Sequence, residues 1–390
     1  MYLVLEDGSV YPGRRLGAEA EATGEVVFNT SMTGYQEMLT DPSYGGQILV
    51  PTYPLIGNYG TNPADVESRQ VQVNAFVVRS DCDEPSHPLS EWTIHDYLLH
   101  NGIPGVSGVD TRAITRKLRS RGVMMGIVTP RSDPAAALQA LSAAPRYGEV
   151  DVVDAVSTEQ AYEWNGGAPA PISSAARSSA TQANEAAGRR LRIVVSDYGV
   201  KQNILRCLTK RGCDVTVVPD DASADEILRH RPDGVLLSPG PGDPVFLDSA
   251  VETVRGLSGK LPIMGICLGH QVVARAFGAN TFKLKFGHRG GNQPVKDMQT
   301  GRVYVTAQNH GYAVDSNGLP ADLRVSHMNL NDNTVEGLRH ANLPIMTIQY
   351  HSEASPGPHD SEYLFDRFVE MVREMKDRTS AAASNGGASL

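Results

Sequence analysis

The chain has 390 residues, of which 41% are hydrophobic, and this length suggests two or three domains with sizeable cores. Its formal net charge of −9 argues against a nucleic-acid-binding surface. We expect neither a membrane span nor an export signal, and hence a cytoplasmic protein, because no apolar run approaches the roughly 18 residues that a span needs.

The first half of the chain is predicted to form a mixed α/β domain over residues 1–152. Short apolar, β-branched runs predict strands, and runs with helical spacing of apolar residues predict helices. The predicted strands cover residues 2–5, 26–29, 47–51 and 71–78, and the predicted helices cover 92–99 and 111–119.

Residues 153–190 are predicted to be a flexible linker. From Ser157 to Arg190 the sequence is rich in alanine, serine and glycine, and such a composition cannot bury a core. We expect this segment to separate two folding units.

The second half is predicted to be a doubly wound α/β domain over residues 191–377. Apolar runs alternate with helical segments at 191–196, 203–211, 215–218, 224–229 and 235–237. This alternation predicts a mainly parallel sheet with helices on both faces and ligands at the carboxyl ends of its strands. The serine- and alanine-rich tail, residues 378–390, is predicted to be disordered.

A glycine- and proline-rich loop, Ser238-Pro239-Gly240-Pro241-Gly242, follows the third of these apolar runs. Its simplest interpretation is a turn. Glycine also lets a backbone N–H approach a ligand closely, so the N–H groups of Gly240 and Leu268 could form a two-donor oxyanion hole. No Gly-Lys-Ser/Thr follows, which argues against a phosphate-binding loop.

Cys267 ends an apolar run and stands between two glycines in Gly265-Ile266-Cys267-Leu268-Gly269. This pattern is typical of a nucleophile elbow, in which a tight strand-to-helix turn exposes the nucleophile and small neighbours avoid clashes. The following helix directs its N-terminal N–H groups at the sulfur, which favours a thiolate. The alternative is an ordinary buried cysteine at a strand end.

His351 and Glu353 follow another apolar run, at residues 344–350. Residues i and i+2 of an extended chain point to the same side, so Glu353 can orient the imidazole of His351 while the other ring nitrogen faces a thiol. With Cys267 this predicts a nucleophile, a base and an orienting carboxylate. A satisfied structural histidine is the alternative.

Metal binding is not expected. The four cysteines, Cys82, Cys207, Cys213 and Cys267, show no C-x-x-C spacing, which fits a reducing compartment. The nearest alternative is a site made of His351, Glu353, His359 and Asp360, which lack ligand spacing. The basic stretch at residues 283–289 is predicted to be a solvated rim.

Three motifs, Pro-Gly-Pro-Gly, Gly-Ile-Cys-Leu-Gly-His-Gln and His-x-Glu, occur here in the order found in triad-type (class I) glutamine amidotransferases, which this chain resembles over about residues 191–376. The first half resembles the N-terminal domain of the carbamoyl phosphate synthetase small subunit. Its matching segments are Phe28-Asn29-Thr30-Ser31-Met32-Thr33-Gly34-Tyr35-Gln36-Glu37, Thr40-Asp41-Pro42-Ser43-Tyr44, Thr52-Tyr53-Pro54-Leu55-Ile56-Gly57-Asn58-Tyr59-Gly60 and Gly108-Val109-Asp110-Thr111-Arg112.

The resemblance implies a glutaminase that feeds ammonia to a large synthetase subunit, for carbamoyl phosphate in arginine and pyrimidine biosynthesis. It implies no cofactor in this chain, with ATP and Mg²⁺ in the large subunit. It also implies glutamine contacts from Ser43, Gly240, Gly242, Leu268, Gln271, Asn309, Gly311 and Tyr312. The rival functions are a cysteine hydrolase or peptidase on the same elbow fold and a catalytically silent interaction subunit.

The resemblance also assigns the segment at residues 355–360 to a collar through which ammonia leaves, with Gly357 at its centre; a plain surface turn is the alternative. Three positions depart from the family pattern. Ser352 and Pro239 replace a common proline and asparagine, and Tyr312 replaces a phenylalanine. We expect Pro239 and Tyr312 to border the glutamine pocket.

Overall fold

The computed structural model describes residues 1–172 and 190–386. The N-terminal domain contains ten strands and four helices. The strands are β1 (Tyr2–Leu5), β2 (Val10–Pro12), β3 (Arg14–Gly17), β4 (Ala22–Asn29), β5 (Gln47–Pro51), β6 (Leu55–Ile56), β7 (Ala75–Val78), β8 (Ser80–Asp81), β9 (Pro104–Ser107) and β10 (Met124–Thr129). The helices are α1 (Tyr35–Thr40), α2 (Ile94–His100), α3 (Thr111–Arg121) and α4 (Pro134–Ala143).

An eight-stranded mixed sheet organises this domain, in the order β2-β1-β10-β4-β5-β7-β9-β3. Strands β4, β5, β7 and β9 run parallel, while the strands at both ends pair antiparallel. Apolar side chains pack on both faces of the sheet, for example Val50 on one and Leu49 on the other. This arrangement confirms the predicted mixed α/β domain.

Over its described residues, the C-terminal domain contains eleven strands and five helices. The strands are β11 (Tyr162–Trp164), β12 (Pro169–Pro171), β13 (Leu191–Asp197), β14 (Cys213–Pro219), β15 (Gly234–Leu237), β16 (Ile263–Ile266), β17 (Thr281–Asp297), β18 (Val303–Val314), β19 (Leu323–Asn329), β20 (Val335–His340) and β21 (Ile345–Ile348). The helices are α5 (Gln202–Lys210), α6 (Ala224–Arg229), α7 (Asp248–Leu257), α8 (Leu268–Ala276) and α9 (Tyr363–Gly386).

Five parallel strands form the centre of the C-terminal sheet, in the order β14-β13-β15-β16-β21, and antiparallel strands extend it on both sides. One face packs against α5 and α9 through residues such as Ile204 and Phe368. The other packs against α7 and α8 through residues such as Val254 and Val272. Helices on both faces of a parallel sheet confirm the predicted doubly wound fold.

Two predictions about the chain's irregular segments are wrong. Residues 153–172 are not a linker, because Val153 and Val156 are buried and β11 pairs with β14 of the sheet. Trp164, which is 5% exposed, packs into the hydrophobic core there. The prediction failed because it relied on average composition, which does not reveal single buried residues in a polar segment. The rest of the predicted linker, residues 173–189, lies outside the described residues.

The predicted disordered tail is likewise wrong over residues 378–386, which continue α9. Alanine is the strongest helix former, and here it extends a helix that packing of Leu364, Phe368 and Val372 has already nucleated. Residues 387–390 lie outside the described part of the chain. Among the described helices, none is long and apolar enough to cross a bilayer.

The two domains meet along a polar and partly charged interface. Asn309 of β18 donates to the Asp41 carboxylate at 2.8 Å, and Lys283 of β17 pairs with Glu25 at 2.6 Å. Arg206 of α5 pairs with Glu67 at 3.1 Å. The carboxyl ends of β13, β15, β16 and β21 face this interface, so any ligand bound at those ends also contacts the N-terminal domain.

Candidate active site

Cys267 occupies a strained turn between β16 and α8, with φ 53° and ψ −104°. The flanking glycines leave no space for a side chain: a Cβ on Gly265 would lie 2.6 Å from the carbonyl oxygen of Gly269, and one on Gly269 would lie 2.3 Å from that of Leu237. This is the geometry of a nucleophile elbow. The elbow predicted from the sequence is therefore present, with Cys267 1% exposed.

His351 and Glu353 lie just beyond the end of β21, the strand that pairs with β16. The Nδ1 atom of His351 is 2.7 Å from Glu353 Oε1, and both side chains are buried. Burial disfavours the charged ring, but the Glu353 carboxylate and the Cys267 thiol together raise the pKa of His351 to about 10. Its buried Nε2 makes no regular hydrogen bond within the described residues. The carboxylate of Glu353 therefore favours the protonated form of the ring.

Lys201 is a third buried member of this cluster, and the sequence analysis missed it. Its Nζ atom is 3.1 Å from Glu353 Oε1 and also donates to the carbonyl oxygen of Ala354. Burial raises the pKa of Glu353, but Lys201 and His351 outweigh it and lower that pKa to about 2. Lys201 follows the end of β13, which is the only signal the sequence offered.

Gly240 and Leu268 both border the pocket at Cys267. A Cβ on Gly240 would lie 2.0 Å from the carbonyl oxygen of Tyr198, so only glycine fits there. Leu268 is the first residue of α8, where no residue of the helix can accept a bond from its N–H group. Both residues therefore border the pocket, and their role as an oxyanion hole stays a prediction.

A narrow pocket lies between the two domains. It contains Cys267 and all eight predicted glutamine-contact residues: Ser43, Gly240, Gly242, Leu268, Gln271, Asn309, Gly311 and Tyr312. Gln47, Tyr147, Pro241, Arg289 and His310 complete the lining. Ser43 reaches the pocket from the N-terminal domain, and its hydroxyl has no partner there.

The β18 segment and α8 hold one wall of this pocket in place. Gln271 donates to the Tyr312 carbonyl oxygen at 2.8 Å and to Gln349 at 2.9 Å. The Cys267 thiol lies 3.8 Å from the carbonyl oxygen of Asn309. Asn309, His310 and Gly311 belong to strand β18 and not to a turn. Of the departures expected at the pocket, Tyr312 lines it, whereas Pro239 is not among the lining residues.

Gly357 lies outside the pocket and follows Pro356, which borders a second cavity. Its φ is 138°, and a Cβ there would lie 2.6 Å from that of Ala307. This small cavity is bordered by His351, Ala307 and Pro356. Asn309 lines both spaces, so they adjoin.

Within residues 1–172 and 190–386, one buried group of side chains has the composition of a metal site: His288, His310 and Glu336. Both ring nitrogens of His310 already have partners, at 2.7 and 2.9 Å. Although burial opposes it, hydrogen bonds to Asp332 and Glu336 raise the pKa of His288 to about 9. The His288 ring thus lies between two carboxylates, that of Asp332 at 2.8 Å and that of Glu336 at 3.5 Å.

The basic stretch at residues 283–289 is only partly the solvated rim that the sequence predicts. Lys285 is exposed, but His288 and Arg289 are buried, 7% and 4% exposed. β17 is irregular here, with a register shift between Lys283 and His288. A charged run whose register shifts cannot be assigned to one face from sequence alone, and Arg289 was missed as a pocket residue for this reason.

Comparison with known proteins identifies both halves of the chain. The family "Glutamine amidotransferase class-I" matches residues 194–371, and "Carbamoyl-phosphate synthase small chain, CPSase domain" matches residues 3–128. Three curated relatives, all described as "Carbamoyl phosphate synthase small chain", match nearly the full length. The protein of Symbiobacterium thermophilum is 52% identical over 94% of this chain and 97% of its own. The protein of Bacillus caldolyticus is 50% identical over 96% of this chain and 97% of its own. The protein of Syntrophotalea carbinolica is 49% identical over 95% of this chain and 97% of its own.

Proposed function

Since the chain belongs to the family of carbamoyl phosphate synthase small chains, we propose that it hydrolyses glutamine to glutamate and ammonia through a Cys267-His351-Glu353 triad. The observation that carries this proposal is the strained Cys267 in a pocket between the two domains, together with a buried His351 whose ring is paired with Glu353 at 2.7 Å. The eight glutamine contacts implied by the resemblance all line that pocket.

The proposed reaction has two halves. The Cys267 sulfur attacks the side-chain carbonyl carbon of glutamine, and the N–H groups of Gly240 and Leu268 stabilise the oxyanion. His351 donates its proton to the amide nitrogen, the C–N bond breaks, and ammonia leaves a glutamyl thioester. The neutral ring then takes a proton from water, whose oxygen attacks the thioester. Collapse of this second intermediate releases glutamate and restores the thiolate.

Glu353 orients the ring and stabilises its charged form, without transferring a proton itself. Its 2.7 Å contact with Nδ1 leaves Nε2 as the nitrogen that exchanges protons with Cys267, the substrate and water. Lys201 neutralises the buried carboxylate from the other side. In this proposal His351 transfers protons, whereas Glu353 and Lys201 only position and stabilise the charged groups.

We also propose that the ammonia is used by a large synthetase subunit. The relatives are named small chains, and a large chain would carry the chemistry of ATP, Mg²⁺ and bicarbonate that produces carbamoyl phosphate for arginine and pyrimidine biosynthesis. No phosphate-binding loop occurs in this sequence. Copurification with that subunit, followed by synthesis from glutamine, ATP and bicarbonate, tests the partnership.

Replacement of Cys267 by serine tests the triad. The hydroxyl is similar in size but far less ionised than a thiol, so we expect glutamate production to fall by ~10⁴ to 10⁶. Calorimetric binding of glutamine should persist, which shows that the pocket is intact. A variant with near-normal turnover would place the nucleophile elsewhere.

The two rival functions give different results in the same assay. A peptidase would cleave short peptides in preference to free glutamine, and a silent interaction subunit would release no glutamate. The enclosure of the pocket by Ser43 and Tyr147 of the N-terminal domain favours a small free substrate over a peptide.

A further inference from the structure

Arg289 is a buried cation without a counter-ion. It lies in β17, is 4% exposed and lines the pocket that contains Cys267. One terminal nitrogen donates to the Phe286 carbonyl oxygen at 2.8 Å, while Nε has no partner. Within the described part of the chain, no carboxylate oxygen lies within 4.0 Å of the guanidinium.

This arrangement is costly for the free protein. An arginine cannot lose its proton, and a buried charge is destabilising by several kcal/mol unless a partner compensates it. Among the lysines and arginines of the described residues, Lys201 and Arg289 are the two that are buried. Lys201 has the Glu353 carboxylate at 3.1 Å, whereas Arg289 has only backbone and neutral groups. An anion entering the pocket would supply what Arg289 lacks.

The remaining unpartnered polar atoms of the pocket are neutral oxygens. They are Ser43 Oγ, Gln47 Oε1 and Asn309 Oδ1, all buried. Asn309 donates its amide N–H to Asp41 at 2.8 Å, which leaves its oxygen for another donor. A guanidinium can bind a carboxylate, and neighbouring neutral oxygens can accept hydrogen bonds from an ammonium group. A free amino acid carries these two groups side by side on its α-carbon.

The position of Arg289 relative to the nucleophile also fits. Arg289 is the cross-strand partner of Asn309, whose carbonyl oxygen is 3.8 Å from the Cys267 sulfur. Gly311 also lines the pocket, and a Cβ there would lie 3.4 Å from a terminal nitrogen of Arg289. A ligand lying along β18 can therefore reach the sulfur with one end and the guanidinium with the other.

We infer that Arg289 is a specificity-determining residue that binds the α-carboxylate of the substrate, while the oxygens of Gln47 and Asn309 accept from its α-ammonium. This inference rests on the proposed glutaminase function and deepens it. It predicts that the pocket selects a free amino acid over amides that lack the α-carboxylate. Arg289 takes no part in bond making or breaking.

Substrate truncation combined with mutation tests this assignment. Glutamine, glutaramate (which lacks the α-amino group) and 4-aminobutanamide (which lacks the α-carboxylate) are compared in wild type, Arg289→Met and Arg289→Lys. We expect Arg289→Met to lower kcat/KM for glutamine and glutaramate on the order of 10²-fold, mainly through KM, and to leave 4-aminobutanamide nearly unchanged. Arg289→Lys should recover part of the loss. Arg302→Met, an exposed arginine beside the same β17–β18 hairpin, is the matched control and should match wild type.

A binding measurement keeps the test decisive if Arg289→Met does not fold. In a Cys267→Ser background, calorimetry should show that glutaramate binds and 4-aminobutanamide does not, and that Arg289→Lys weakens glutaramate selectively. Equal weakening of all three ligands, or tight binding of 4-aminobutanamide, would overturn the assignment. If the wild type releases no glutamate but this carboxylate dependence of binding holds, the proposed glutaminase function fails and the assignment of Arg289 survives.

Discussion

Lys201 explains how a carboxylate can be kept ionised at complete burial. Glu353 is 0% exposed, and its charge is stabilised from two sides, by His351 at 2.7 Å and by Lys201 at 3.1 Å. Burial disfavours the ammonium too, but Glu353, Asp41 and Glu67 together raise the pKa of Lys201. Each charge in this cluster therefore depends on the others, and removal of one leaves an uncompensated buried ion.

Replacement of Lys201 by methionine should destabilise the protein by about 3–5 kcal/mol at pH 7, because it breaks a buried ion pair by removing one partner. Urea denaturation measures this change. Lys376→Met, which removes a partly exposed pair with Asp233 at 2.8 Å, is the control and should cost about 1 kcal/mol or less. Equal effects of the two substitutions would show that the Lys201–Glu353 pair contributes no more than a surface pair.

The same substitution should change the pH dependence of stability. Burial raises the pKa of Glu353, but Lys201 and His351 lower it overall, from 4.5 to about 2. The stability from this lowering is present above pH 4.5 and is lost as the pH falls towards 2. The difference between wild type and Lys201→Met should therefore shrink as urea denaturation is repeated at successively lower pH from 4.5.

At this scale the sequence predicted the groups that react in the proposed mechanism but not their neighbours. Cys267 and His351 stand at strand ends with characteristic flanking residues, so their roles could be predicted. Lys201 and Arg289 carry no such local pattern, and a charged side chain is by default assigned to the surface. Their burial follows from contacts with residues distant in sequence, such as Glu353 for Lys201.

At the scale of elements, the β16–Cys267–α8 turn decides where the nucleophile points. The turn brings backbone atoms of β15, β16 and α8 so close that both flanking positions require glycine. The resulting left-handed φ at Cys267 is sterically costly for a non-glycine residue, and it persists because strand and helix fix it from both sides. The position of the sulfur is thus a property of the packing of three elements.

Replacement of Gly269 by alanine should destabilise the protein by about 1–3 kcal/mol and lower kcat, because the new methyl group would lie 2.3 Å from a backbone carbonyl oxygen. Thermal unfolding and glutamate release measure the two effects. Gly167→Ala is the control, since nothing lies within 4 Å of a Cβ at that position. An unchanged Gly269→Ala variant would mean that the elbow can relax without consequence.

Elements with strong periodicity were predictable, and those defined by a few anchors were not. The helix at residues 224–229 matches its prediction. A capping box formed by Ser223 and Glu226 fixes its start. Strand β11 was missed, because three residues, Tyr162–Trp164, are too few to show a period. The continuation of α9 was missed, because alanine-rich sequence is ambiguous without the preceding packed turns.

At the scale of the whole molecule, the pocket exists only because two domains meet. Ser43, Gln47 and Tyr147 come from the N-terminal domain, and the nucleophile comes from the C-terminal one. The contact between Asp41 and Asn309, at 2.8 Å, joins the domains beside the sulfur. Neither domain alone could enclose a small amino acid, so we expect the glutaminase to require both.

The two adjoining cavities suggest separate routes for the two products of hydrolysis. Glutamine and glutamate would use the pocket at Cys267, while the second cavity is bordered by His351, which in the proposed reaction has just protonated the leaving nitrogen. Pro356 borders that cavity, and Gly357 has no side chain to obstruct it. This geometry supports the proposal that ammonia leaves past Gly357 towards the large subunit.

Replacement of Gly357 by phenylalanine in the complex with the large subunit should separate hydrolysis from synthesis. The bulky ring would fill the space beside Ala307, where even a Cβ would lie 2.6 Å from that residue. We expect glutamate release to continue, glutamine-dependent carbamoyl phosphate synthesis to fall several-fold, and synthesis from added ammonia to persist. Gly357→Ala should give an intermediate loss. Equal synthesis from glutamine and from ammonia in the phenylalanine variant would show that ammonia takes another path. A blocked passage would reduce the synthesis that uses ammonia released at Cys267, and it would leave the synthesis from added ammonia unchanged.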